Sequence, residues 1–276
     1  MLPNLIASAL YSASPVEIIQ RVAWTLTFAA QLVLLVVLYG RNRTPRYPWF
    51  TAIIALSALR LMAEVLLAGR VGMVPFSVTV LSLADLSVIV SLLVLVELAR
   101  RAFAGLHRPL WIVNSAGLAL LASGVMLVWG PWPVWQNLGV GTLLGNLRLM
   151  QLMMQKGELL VALLTVGLGI LVVIFGRQFK AGWRSHTFMI VLGLAFVSAA
   201  SLAIQGGLQI AVLTHHIQTR ADLDKTASVL GSVQQIVYLA ALIWWISWLW
   251  LDEPGAPQQA ASAPDSASND EPPQAT

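Results

Sequence analysis

Seven apolar stretches, each close to twenty residues or longer, follow one another from Pro15 to Trp250, and most charged residues fall between them. About 20 apolar residues in a helix span the hydrocarbon of a bilayer, and in lipid a helix satisfies its own backbone hydrogen bonds. The pattern therefore predicts an all-α polytopic membrane protein, a bundle of seven transmembrane helices. Composition agrees: 10% of the residues are charged, against about 25% in soluble domains.

The helices are expected at about 15–40, 49–69, 77–99, 110–129, 142–176, 187–213 and 227–250. Ser14-Pro15-Val16-Glu17 reads as a capping box with proline in the first turn. Pro45 and Pro48 separate the first two helices, and Gly130-Pro131-Trp132-Pro133 closes the fourth. Within 142–176 the first part is expected to project from the membrane or bend along it. Residues 1–13 read as an interfacial segment without a cleavable signal, since the first twenty residues hold no Lys or Arg. From Asp252 the chain is rich in Pro, Ala, Ser and Gln, with five acids and no basic residue, the composition of a disordered tail.

Topology follows from the loops. Those after helices one, three and five carry nine Lys and Arg, against six on the other side. The positive-inside rule then places the N-terminus outside and the tail in the cytoplasm, in a cell (inner or plasma) membrane. Seven helices with an outside N-terminus are similar in topology to the receptor and rhodopsin superfamilies, a likeness that implies no residue roles. A retinal Schiff base would need a lysine within helix seven, and none lies there; Lys156 falls in the projecting first part of 142–176. All four histidines fall between helices, which excludes a haem ligated within the bilayer.

Ionisable groups inside the spans stand out. Between Trp49 and Gly69 the only charges are Arg60 and Glu64, and a charge near the bilayer centre costs roughly 2.5–3.5 kcal/mol on insertion scales, so it needs a partner or a wet cavity. Ser57, Arg60 and Glu64 share one stripe. Arg60 and Asp85 lie at matching depths on antiparallel helices, so a pair between them is expected, with Glu64 also within reach one turn along. Gln205 and Gln209 on helix six, and Gln234 and Tyr238 on helix seven, form further stripes near that layer. Gln31 on helix one joins it only if that helix projects outward. Arg60, Glu64, Asp85, Gln31, Gln205, Gln209, Gln234 and Tyr238 are therefore the candidate ligand-binding or ion-pair cluster. Glu97 is expected to pair with Arg100, and Glu158 with Lys156.

Other chemistry finds little support. The chain has no cysteine, which removes disulfides, thiolate metal sites and cysteine nucleophiles. His215 and His216 with Asp222 and Asp224 lack a fixed third ligand, so no metal is expected. Gly139-Val140-Gly141-Thr142-Leu143-Leu144-Gly145 follows no strand and lacks the P-loop lysine, so it reads as a helix start. No catalytic motif is present and no cofactor is implied. The short basic loops fit topology and not nucleic acid. The expected function is sensory or accessory and non-enzymatic, in the lipid bilayer, with a protein partner at the cytoplasmic loops or tail. A small transporter using Arg60, Glu64 and Asp85 is the alternative, and a structural subunit of a larger complex the second.

Overall fold

A computed structural model describes residues 15–102, 117–118, 121–125, 142–175, 185–213 and 220–251. The described residues form an all-helical structure with seven helices and no strand. Six helices are long and apolar enough to cross a membrane. They are α1 (Pro15–Gly40), α2 (Pro48–Leu67), α3 (Met73–Ala102), α4 (Leu143–Phe175), α5 (His186–Leu213) and α6 (Arg220–Trp250). Helical residues 117–118 and 121–125 fall where the fourth span was predicted. The rest of that span, the interfacial segment 1–13, His215-His216 and the tail lie outside the described residues.

Most boundaries match the reading from sequence to within a few residues. Two differ more: α3 begins at Met73, and α6 begins at Arg220. Residues 220–226 are polar enough to read as a turn but hold no Gly or Pro to stop a helix, and the break between α2 and α3 is confined to 68–72, where Gly69 takes φ 73°. Pro75 sits in the first turn of α3, where its missing N–H leaves no helical bond unmade.

Each helix packs on its neighbours in the series α1 to α6, and α1 closes the circle against α6. The result is a six-membered ring. The segment 117–125 attaches to α4, where Leu118 lies against Gly167. Close approach is set by glycine at Gly193 of α5, which the indole of Trp245 covers so tightly that no Cβ would fit without a shift.

Helix ends follow local chemistry. α1 closes in a Schellman motif: Asn42 adopts the left-handed conformation at φ 52°, with Arg43 N–H donating to Leu38 C=O at 2.8 Å and Asn42 N–H to Tyr39 C=O at 3.0 Å. Thr142 Oγ1 accepts from Gly145 N–H and starts α4, and Ser185 Oγ accepts from Phe188 N–H at the start of α5. α2 has no such residue of its own. Tyr47 offers no cap; the Glu97 carboxylate of α3 accepts from Trp49 N–H at 3.1 Å instead.

One end of the ring holds the α1–α2 turn, the end of α3, the start of α5 and Leu251; we call it the tail end, and its opposite the far end. The core belongs to the tail end. Leu34, Leu38, Tyr47, Phe50, Leu98, Ile190, Leu242, Trp245 and Leu249 are all under 2% exposed. Phe50 and Trp245 meet edge to face at 5.3 Å.

Candidate functional site

α2 carries Ser57, Arg60 and Glu64 along one stripe, and the structure bonds the last two. Arg60 Nε donates to Glu64 Oε1 at 3.1 Å, with side chains 33% and 18% exposed. No ion pair joins Arg60 to Asp85 among the described residues, although the two share a depth. The contact between Glu97 and Trp49 sets the register of α3 against α2. Arg60 is eleven residues beyond Trp49 and Asp85 twelve residues before Glu97, so both lie about 17 Å from that contact at 1.5 Å per residue. A helix partner one turn away is available to Arg60 without any neighbouring helix having to supply it.

Glu158 joins this layer. Its principal charged neighbours are Arg60 and Asp85, not Lys156 alone as the local spacing suggested. The register explains it: Gly157 of α4 lies against Val88 of α3, one turn from Asp85. Lys156 also makes an interaction of its own.

On the other side of the ring, Gln234 Nε2 of α6 donates to Ser201 Oγ of α5 at 3.3 Å. Gln205 lies exposed on α5, 3.5 Å from the same hydroxyl. The Gln209 side chain lies outside the described residues. One turn nearer the tail end, Gln31 Nε2 of α1 donates to Tyr238 Oη of α6 at 3.2 Å, and Ser57 of α2 approaches the same hydroxyl. Gln31 therefore meets Tyr238 with helix one beginning at Pro15, as expected from sequence.

Each of the six long helices thus contributes a polar side chain to this layer or to the turn beneath it. Ser57 reaches Tyr238 of α6, and Arg60 feels Glu158 of α4. The main packing partners of α2 are α1 and α3, so both lines cross the interior of the ring. Gln31 is 1% exposed and its Oε1 has no hydrogen-bond partner among the described residues. Below Gln31 the interior turns apolar, through Leu34, Ile54, Leu242 and Trp245 to the tail end.

A second polar cluster, missed by sequence reasoning, lies at the tail end. Glu97, 8% exposed, pairs with Arg101 through an Nη2–Oε1 contact of 3.1 Å, not with Arg100. Arg101 sits over the Tyr47 ring at 4.8 Å, and Tyr47 Oη meets Thr187 Oγ1 of α5 at 2.9 Å. The signal in the sequence was Tyr47-Pro48, a helix start with no cap of its own. No group of three or more His, Cys, Asp or Glu that could hold a metal ion occurs among the described residues. No family model, curated protein or solved structure matches the chain.

Proposed function

We propose that the chain is a sensory or accessory integral membrane protein of non-enzymatic type. Its polar layer forms a binding site that opens toward the far end. One observation carries this reading: polar side chains from all six long helices lie within two adjacent turns of the bundle, and the interior beyond them is closed by an apolar core. A path for conduction would need polar groups on both sides of the layer. Transporters also place broken helices at mid-membrane, whereas α2 and α3 run unbroken through Arg60 and Asp85. The positive-inside bias supports a cytoplasmic tail end in a cell membrane, where basic loops or the tail meet a protein partner.

The test is thermal unfolding of the detergent-purified protein against small carboxylates, amino acids, inorganic phosphate and polyamines. A ligand at one hundred times its Kd stabilises by about 2.7 kcal/mol. At least one class should raise Tm, and Arg60→Ala should abolish the rise. If none does, the binding reading fails and the structural-subunit reading gains. Accumulation of the same compound inside proteoliposomes would move the assignment to a transporter. For topology, a reporter fused after Leu251 should be active only in its cytoplasmic form; activity of a periplasmic-type reporter there inverts the bundle.

A further inference from the structure

The α1–α2 turn is a rigid carrier of charge. Its Schellman closure and the bonds from Arg46 and Tyr47 N–H to Arg43 C=O fix the backbone from Gly40 to Pro48. Three arginines, Arg41, Arg43 and Arg46, project from it, and Arg100 and Arg101 end α3 beside it. Arg46 and Arg101 both lie against the Tyr47 ring, at 5.7 and 4.8 Å from its centre. Two guanidiniums are thereby held within about 11 Å of each other, concentrating positive charge around one ring. Glu97 on this face is engaged by Arg101 and Trp49, and Arg41, Arg43 and Arg46 make interactions of their own while Arg41 and Arg46 remain exposed.

The aromatic residues of the same end show what medium this face meets. Trp49, Trp244 and Trp250 are 43%, 41% and 56% exposed, and Arg41 lies over the Trp250 ring at 5.2 Å. Exposed tryptophans at the ends of membrane-crossing helices sit at headgroup level. Basic residues beside them fall in the plane of the lipid phosphates, where each contributes about 1 kcal/mol of attraction to an anionic surface.

We infer that this tail-end face is a docking surface for anionic phospholipid headgroups, engaged by the exposed arginines Arg41, Arg46 and Arg100. Arg43 and Arg101 hold the surface in shape, Arg43 by donating from Nη2 to Leu251 C=O at 3.0 Å and Arg101 through Glu97. The inference is independent of any ligand in the polar layer.

The experiment uses the full chain in vesicles of phosphatidylcholine mixed with phosphatidylglycerol, with bromine on the acyl chains of one lipid or the other. Quenching of tryptophan fluorescence then reports which lipid lies against the aromatic belt. Brominated phosphatidylglycerol should quench several-fold more effectively, and the preference should decline with added salt. Combined Arg41→Gln, Arg46→Gln and Arg100→Gln should bring the two lipids close to parity. Equal quenching by both lipids in the unaltered protein overturns the inference, as does a preference that survives the triple change. If the triple variant does not fold, the salt titration decides: a preference insensitive to salt also overturns it. A chain ending at Leu251 should show the same preference as the full chain. A preference that emerges only after this truncation would mean that the acidic tail occupies the surface in place of lipid, and overturns the assignment.

Discussion

The two ends of the bundle are built by different rules. At the tail end, aromatic and branched aliphatic side chains interlock, and Glu97 ties α2 and α3 together through a backbone amide. At the far end few residues are buried: past Ala58 in α2, before Ala84 in α3 and before Ala241 in the described side chains of α6, none is. What joins the helices there is a set of hydrogen bonds between polar side chains. Packing gives the first region its stability, and the second, with few buried apolar contacts, is the more easily opened.

The largest effect should come from the tail end. Trp245→Ala removes a side chain that is 1% exposed and packs on Phe50 and Gly193. It should cost about 3–5 kcal/mol in reversible unfolding in mixed detergent. A loss no greater than that of a far-end substitution would erase the distinction between the two halves. Next comes Glu97→Ala, which uncaps α2 and strands Arg101; about 2 kcal/mol is expected by the same assay. Neutral behaviour there would mean that the cap is dispensable.

Effects in the far half should be smaller. Tyr238→Phe deletes the hydroxyl that Gln31 donates to, and interhelical hydrogen bonds in membranes average about 0.6 kcal/mol. A loss above 2 kcal/mol would mark the far end as a second core. The smallest is the coupling between Arg60 and Glu64, measured in a double-mutant cycle. An i,i+4 pair should give about 0.3–0.5 kcal/mol, and the cycle with Asp85 should give less. If the Asp85 cycle gives more, the pairing expected from the sequence is restored.

Most of the architecture was legible because lipid imposes it. Apolar stretches had to become helices, and the interruptions between them showed where helices end. Depth could be counted too: from the helix ends, Arg60 and Asp85 fall at one level and Gln234 within about one turn of it. Lateral geometry was not legible. Depth alone could not distinguish Glu64 from Asp85 as the partner of Arg60, because a side chain's choice depends on helix rotation and distance across the ring. Glu158 went unplaced for the same reason: its distance from Asp85 is set by Gly157 against Val88, a contact between helices about seventy residues apart. Glu97 looked like an ordinary terminal pair because its second bond goes to a backbone amide of another helix, which spacing along its own chain does not reveal.

The seam between α1 and α6 has a consequence for biogenesis. Thr27 and Gln31 are both at most 2% exposed, and the residue that receives Gln31, Tyr238, is made more than two hundred residues later. Until α6 is made, the Gln31 N–H therefore lacks the hydroxyl it donates to in the assembled bundle. Any nascent or truncated chain that lacks the last helix displays that amide to lipid. A chain truncated before α6 thus keeps on α1 a donor that the assembled bundle would have satisfied.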